Sequence, residues 1–187
     1  MSHYKKLFEE THIGKMKLRN RISMAPMGPV GYANSRGGFN QRLQDYYVER
    51  AKNNVGLIIT RVCSVDLNIE GLPSLGMPCP TSAPFAFVHS TYPMNERIHA
   101  YGSKILLQLT GELGRSALPG FTKKQIAPSE AENRFEPSIT HREMTKDEIM
   151  NLIQKFIQSA AIAKKAGFDG VFRARTTRKS AKISRRV

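Results

Sequence analysis

The chain has 187 residues, a formal net charge of +14, and a composition that is 40% hydrophobic and 24% charged. These values are ordinary for one globular domain, and the absence of a run of 18 apolar residues excludes a typical transmembrane helix. The first residues, MSHYKKLFEETHIGK, lack the apolar segment of a secretory signal. We therefore expect a cytoplasmic protein. Cys63 and Cys79 have no cysteine or histidine partner at zinc-binding spacing, so we expect isolated thiols and no metal site.

The last sixteen residues, 172–187, differ in character from the rest of the chain. They contain seven Lys and Arg residues and no Asp or Glu, so their charge of +7 is half of the net charge of the chain. We predict a disordered basic tail here. It is either a segment that binds a polyanion such as nucleic acid or an end unrelated to the preceding domain, as out-of-frame translation would produce. Elsewhere the positive charges are scattered without interleaved aromatic residues, which disfavours a nucleic-acid interface.

Hydrophobic periodicity predicts helices and strands in alternation. A short hairpin beginning near residue 12 is followed by predicted strands at residues 21–25, 55–60, 104–109 and 168–172. Predicted helices lie at residues 41–53, 86–101 and 146–166. Asn40 caps the first of these, Pro93 is expected to distort the second or delay its start, and Thr145 with Glu148 forms a capping box for the third. Long loops are predicted at 66–84 and 111–141.

Strands that are buried on both faces and separated by helices are typical of a parallel α/β architecture. Long loops after the strands favour a (β/α)₈ TIM barrel in particular, because barrel enzymes bind substrates there. The chain offers about four βα units with an N-terminal hairpin, whereas a complete barrel has eight strands. We therefore predict a truncated barrel over residues 1–171 that is poorly stable and self-associates through its exposed edges.

Several segments resemble one family in order and spacing. They are KKLFEETHIGKMKLRNRISMAPM, GLIIT, LLQLTGELGR, a loop ending IAPS, and REMTKDEI with FIQSAAIAKKAGFDGV. Together they resemble the old yellow enzyme family, in its NADH:flavin oxidoreductase branch with 2,4-dienoyl-CoA reductases and bile-acid-inducible enone reductases. The resemblance covers residues 5–171 and the first half of the family's barrel. It implies FMN at the carboxyl ends of the strands, with NADH or NADPH as reductant and an enone or enoyl thioester as substrate.

The resemblance also implies cofactor-binding positions. Ala25, Pro26 and Met27 match the residues under the flavin ring, or else form only a strand-ending turn. Gln108 matches the glutamine that hydrogen-bonds the pyrimidine edge of the flavin, a role suited to an amide, with a purely structural partner as the alternative. Val62 lies in the turn near the flavin, and Arg115 faces the cofactor or its phosphate or is a surface residue.

Five positions depart from the family's pattern. Arg61 stands where a small residue is expected, which puts close approach of the flavin there in doubt. Gly28 replaces a side chain that tunes the flavin in relatives. The family's substrate-binding His/Asn pair and its proton-donating tyrosine correspond to Ala174, Thr177 and Lys179. None of these residues fills the family role, so no catalytic residue is predicted.

The chain is consequently predicted to be inactive alone, with two alternatives left open. One is a non-enzymatic half-barrel remnant, and the other is a basic nucleic-acid-binding module. The histidines outside the amino terminus have no partner at catalytic or metal-binding spacing and are predicted to be structural or at the surface: His12, His89, His99 and His141.

Overall fold

The computed structural model describes residues 4–27, 31, 33–69, 76–111, 115–117, 119 and 124–173. A short 3-10 helix, Lys5–Phe8, comes first. The α-helices are α1 (Gln41–Lys52), α2 (Pro84–Ala100) and α3 (Lys146–Lys165). The strands are β1 (Thr11–Ile13), β2 (Met16–Leu18), β3 (Ser23–Met24), β4 (Leu57–Ser64), β5 (Lys104–Thr110), β6 (Ile126–Ala127), β7 (Ala131–Glu132), β8 (Thr140–Glu143) and β9 (Gly170–Arg173).

The main sheet contains four parallel strands in the order β3-β4-β5-β9. One of the three helices lies between each strand and the next, so the strands are neighbours in space in the order in which they occur in the chain. This arrangement is that of consecutive βα units in a barrel wall. The predicted α/β half-barrel is confirmed, and β1 and β2 form the predicted antiparallel hairpin before it.

All three helices cover the same face of the sheet. Alternate strand residues point toward them and are fully buried, and the core that they build with the helices is mostly aliphatic and aromatic. Its members include Leu43, Tyr47, Ile58, Phe87, Met94, Ile98, Ile105 and Leu107. The residues between them, such as Ile59 and Leu106, point to the opposite face and are only half-buried. That opposite face is the inner wall of the half-barrel.

The helix ends follow the signals that the sequence contains. The Asn40 side chain accepts a hydrogen bond from the Leu43 N–H at the start of α1. Thr145 and Glu148 form both bonds of the capping box at the start of α3. Gly167, with φ of 81°, follows the C-cap of α3 in the left-handed conformation that glycine adopts without strain. These short-range signals placed α1 and α3 within a residue of the prediction.

The start of α2 differs from the prediction. The helix begins at Pro84 and continues through Pro93, so the second proline does not delay it. Pro84 suits the first turn, where a backbone N–H has no helical partner in any case. Burial of Phe87, Met94 and other residues in the core holds the helix together across Pro93, where one backbone hydrogen bond is lost.

The predicted loop at 111–141 contains a second, smaller sheet. Its three strands lie in the order β6-β8-β7, with β6 parallel and β7 antiparallel to β8. Two of them are only two residues long, too short for any periodicity to appear in the sequence. The prediction of a long loop at 111–141 therefore missed these three strands, which precede α3.

The described cysteines and histidines occupy varied environments. Cys63 and Cys79 are both buried, and Cys79 Sγ lies 3.4 Å from Thr81 Oγ1. Of the four histidines in the described part of the chain, His12 and His89 are exposed. Within the described ranges, no helix is long and apolar enough to cross a membrane, and no cluster of metal-ligating side chains is found.

Asp169 joins the amino-terminal ends of β5 and β9. Its carboxylate accepts hydrogen bonds from His99 Nε2 at 2.7 Å, Lys104 Nζ at 2.8 Å and the Ile105 N–H at 2.9 Å. Burial opposes the charged form, but these three donors outweigh it, so the pKa of Asp169 lies below its usual value. The cluster lies at the end of the sheet opposite to the predicted cofactor site, where stability determinants are usual in barrels.

We expect Asp169→Asn to lower the free energy of unfolding by about 1–3 kcal/mol at neutral pH, because hydrogen bonds to a charged group contribute roughly that much. A lowered folded-state pKa means that the contribution is present above about pH 4 and is lost as the pH falls through the folded-state pKa. The difference in free energy of unfolding between the wild-type protein and Asp169→Asn should therefore become smaller in acid. Urea unfolding at several pH values measures this difference. Asp45→Asn, at an exposed ion pair with Arg97, is the control, and an equal effect there would contradict the assignment.

Candidate functional site

The predicted cofactor-binding residues gather at one edge of the main sheet. Ala25, Pro26 and Met27 directly follow β3, Val62 is near the end of β4, and Gln108 is near the end of β5. Because neighbouring strands are parallel, their carboxyl ends lie side by side. Ligands of parallel α/β proteins bind at this edge.

A row of three side chains crosses the sheet near this edge. The register pairs Val62 with Gln108, and Gln108 with Phe172 on the other side. Residues paired in this way share a face, and here it is the inner face, away from the helices. The sequence analysis predicted Phe172 as the last residue of the fourth strand and the first of the basic tail, but did not name it as a site residue. The structure places it in β9, where the residue is 39% exposed.

The Gln108 side chain stands in the middle of this row. Its backbone N–H donates to Thr60 Oγ1 at 3.0 Å, but its side-chain amide has no hydrogen-bond partner among the described residues. The residue is half-buried between two apolar neighbours, Val62 and Phe172. A structural partner, the alternative reading of this glutamine, is therefore not found in the described part of the chain. The amide has a donor and an acceptor available for a ligand.

A β-bulge in β4 produces the row. Ile59 pairs with Leu106 and Val62 with Gln108, so two residues of β4, Thr60 and Arg61, lie opposite one residue of β5. Side chains replace the missing ladder bonds. The Thr60 hydroxyl accepts a hydrogen bond from the Gln108 backbone N–H at 3.0 Å. It also donates a hydrogen bond to the Arg61 carbonyl at 2.9 Å. Bulges of this kind commonly lie at barrel rims beside active sites, where they re-aim side chains.

The Arg61 side chain does not enter the row. It is 4% exposed, and its guanidinium donates to the Gly76 carbonyl at 3.1 Å, while Nε has no partner among the described residues. Its backbone N–H donates to the Tyr47 hydroxyl at 2.7 Å. Burial raises the pKa of Tyr47 and keeps that hydroxyl neutral. The Arg61 side chain is thus bonded to the Gly76 carbonyl and lies outside the row, while the approach of a flavin to this turn stays a prediction.

Arg115 lies apart from the row, in an exposed turn after β5. Its guanidinium makes no hydrogen bond or ion pair with the described residues. Its backbone carbonyl accepts a hydrogen bond from the N–H of Arg134, which lies between β7 and β8 of the smaller sheet. The structure thus places Arg115 beyond the same end of β5 that holds Gln108. The two alternatives for its charge, that it faces a cofactor or that it faces only solvent, both stay predictions.

Four of the other positions singled out in the sequence lie outside the described residues. They are Gly28, Ala174, Thr177 and Lys179. The roles of these positions therefore stay predictions, as do the boundary at residue 171 and the proposed character of the 172–187 tail. Phe172 and Arg173 are the exceptions in that tail, because both belong to β9.

The arrangement suits a flat ligand with a polar edge. Pro26 is half-buried and Met27 is 56% exposed, so both can contact a planar ring beside the row. Val62 and Phe172 add apolar surface, while the Gln108 amide offers hydrogen bonds in the plane of such a ring. The residues of the row and the turn after β3 include no ionisable side chain.

Two curated relatives match nearly the whole chain. The chain is 48% identical over 169 residues to the cinnamate reductase of Clostridium sporogenes, covering 90% of this chain and 25% of the relative. It is 38% identical over 173 residues to the NADH oxidase of Thermoanaerobacter brockii, covering 91% of this chain and 26% of that protein. The chain therefore spans about a quarter of the length of these relatives.

Solved structures show the same fold. Morphinone reductase in complex with tetrahydroNAD superposes with a TM-score of 0.72 at 27% identity, covering 89% of this chain and 48% of the other. The old yellow enzyme homologue from Zymomonas mobilis gives a TM-score of 0.70 at 29% identity, covering 90% and 48%. These proteins are TIM barrels, and the chain corresponds to about half of each.

The profile of the NADH:flavin oxidoreductase / NADH oxidase family matches residues 6–173, which is most of the chain. Members of this family are oxidoreductases that use FMN with NADH or NADPH, and the relatives named above bear reductase and oxidase names. The match includes the row of β4, β5 and β9 residues and the turns beside it. The chain belongs to the NADH:flavin oxidoreductase / NADH oxidase family, and so to the old yellow enzymes that the sequence resembles.

Proposed function

We propose that this chain forms the first half of an FMN site in an NAD(P)H-dependent oxidoreductase that reduces electron-poor alkenes. The observation that carries the proposal is the Gln108 amide, which has no partner among the described residues and lies between Val62 and Phe172 at the carboxyl edge of the sheet. The substrate class is the one that the family resemblance implies, an enone or enoyl thioester. The Clostridium sporogenes relative is named a cinnamate reductase, and cinnamate is also an electron-poor alkene, conjugated to a carboxylate rather than to a ketone or thioester.

The residues present fit FMN. Gln108 would bond the pyrimidine edge of the ring, because its amide both donates and accepts. Pro26 and Met27 would support one face of the ring, and Ala25 is small enough to let backbone groups approach. Val62 would contact the ring from β4. Bound FMN would supply the hydride transfer between NAD(P)H and the alkene.

Arg115 contributes positive charge beyond the end of β5. A guanidinium with no partner in the described part of the chain is available to an anionic group, and FMN has a phosphate. Electrostatic attraction of this kind also stabilises negative charge that develops on a bound ring. We therefore assign Arg115 to the cofactor rather than to the surface alone.

Turnover by this chain alone is not expected. In the family's pattern the side chains that hold the substrate carbonyl are imidazole or amide groups, and the proton donor is a phenol. Ala174, Thr177 and Lys179 provide none of these groups. Without hydrogen bonds to the carbonyl oxygen, the charge that develops during reduction would not be stabilised, so we propose binding of the flavin without catalysis.

We expect the purified chain, incubated with FMN and desalted, to retain visible flavin absorbance. Gln108→Leu should weaken FMN binding about tenfold or more, because it removes two hydrogen bonds while keeping the size of the side chain. Titration of flavin fluorescence measures the Kd. Gln154→Leu, on the exposed side of α3, is the matched control. A colourless wild-type protein would contradict the FMN site, and an unchanged Kd in Gln108→Leu would contradict the role of that residue.

We also propose that the chain self-associates through its sheet edge. β9 lies at the end of the four-stranded sheet, and Val171 and Phe172 on it are 43% and 39% exposed. An edge strand with apolar side chains is a template for pairing with another chain.

Light scattering after gel filtration should therefore give a mass above that of one chain at micromolar concentration. Val171→Lys should reduce the associated fraction several-fold, because a charged residue on an edge strand blocks pairing. Ile157→Lys makes the same kind of change at an exposed apolar position of α3 and should have little effect. A wild-type protein that runs as a monodisperse monomer and melts cooperatively would show the idea to be wrong.

A further inference from the structure

A buried pair of polar side chains holds the smaller sheet together. Asn133 and His141 are 2% and 1% exposed, and Asn133 Nδ2 lies 3.0 Å from His141 Nε2. The amide nitrogen can only donate, so His141 Nε2 accepts and the ring proton is on Nδ1. Burial lowers the pKa of His141, in keeping with a neutral ring. His141 Nδ1 has no partner among the described residues, so the bond to Asn133 is the ring's single polar contact in this part of the chain.

The same amide reaches the segment that follows β5. Asn133 Nδ2 donates to the Ala117 carbonyl at 2.7 Å, and the next residue, Arg134, donates its backbone N–H to the Arg115 carbonyl. Two bonds from adjacent residues thus hold residues 115 and 117. Ala117 is 3% exposed, so its carbonyl would lose a partner without gaining water if the amide were removed.

The carbonyl oxygen of the Asn133 side chain makes a different set of hydrogen bonds. Its Oδ1 accepts from the backbone N–H groups of Phe135 at 2.8 Å and Glu136 at 3.1 Å, which closes a local turn. The oxygen therefore shapes the residue's own loop, while the nitrogen joins that loop to His141 and to Ala117. Because the two functions belong to different atoms, a substitution can remove one and keep the other.

We infer that Asn133 and His141 are positioning residues that hold the Arg115 turn in place for the flavin. The inference rests on the proposed function, because it assigns a purpose to fixing Arg115. His141 fixes the orientation of the amide by accepting one of its protons, and the amide's other proton secures Ala117. A guanidinium on a fixed turn loses less conformational entropy when it binds an anion than one on a free loop.

Trypsin cleavage after Arg115 tests the clamp without any flavin. Asn133→Asp keeps the turn-closing oxygen and removes both N–H donors, so cleavage after Arg115 should accelerate roughly tenfold. His141→Leu should accelerate it as well, because it leaves the amide without its acceptor. His141→Gln restores an acceptor and should remain near the wild-type rate.

Two controls are available in the same digest. Cleavage after Arg36, in an exposed turn of another loop, should not change in any variant. Asn151→Asp makes the same chemical change at an exposed position of α3 and should leave the Arg115 rate unaltered. Equal cleavage rates after Arg115 in wild type and Asn133→Asp would overturn the inference.

A double-mutant cycle on FMN affinity tests the positioning role itself. Asn133→Asp should weaken FMN binding several-fold in the wild-type background and have little further effect in the Arg115→Ala background, because it acts through Arg115. Independent, additive losses would overturn positioning. A wild-type chain that binds no FMN would overturn the proposed function and the flavin part of this inference, while the trypsin rates would still decide whether the pair holds the turn.

Discussion

The pairing of β4 with β5 determines which side chains face the candidate site. Strand side chains alternate between faces, so a one-residue shift in register exchanges the inner face with the helix-covered face. The bulge at Thr60 and Arg61 introduces such a shift within β4. Ile59 and Val62 therefore share the inner face although they are three residues apart. Without the bulge, Val62 would point toward the helices and Gln108 would lack its apolar neighbour.

The backbone groups that the bulge frees are bonded by side chains from two different elements. The Thr60 hydroxyl bonds Gln108 within the sheet, and the Tyr47 hydroxyl reaches Arg61 from α1. The helix layer thus supports the edge of the sheet that carries the candidate site, in addition to burying the apolar face of the sheet. In barrel enzymes the binding residues usually lie on turns, and a rigid scaffold of sheet and helices holds those turns in position.

The sequence predicted what depends on neighbours along the chain. Asn40, the Thr145–Glu148 box and Gly167 determine helix ends through contacts within four residues, and the buried strands were found from their apolar runs. The helix ends and the buried strands agree with the structure because the physical signals behind them are local. The placement of the candidate site at the carboxyl edge of the sheet followed from the family resemblance and stays a prediction.

The remaining features depend on contacts that only the folded chain creates. The strands of the smaller sheet are too short to show periodicity, and Asn133 meets His141 and Ala117 only when that sheet forms. Phe172 was predicted in the fourth strand, but its pairing with Gln108, which makes it a neighbour of the candidate site, appears only in the folded sheet. The bulge, likewise, leaves no mark in the run of residues from 57 to 64.

The bulge also bears on how β4 can vary between related proteins. Its extra residue is accommodated outside the ladder, and the Arg61 side chain is held by the loop at Gly76. The identity of residue 61 is thus constrained by what that loop can accept, whereas residue 62 is constrained by the inner face. A relative with a regular strand would be one residue shorter here, and an ungapped alignment would then compare helix-facing with barrel-facing positions from residue 62 onward.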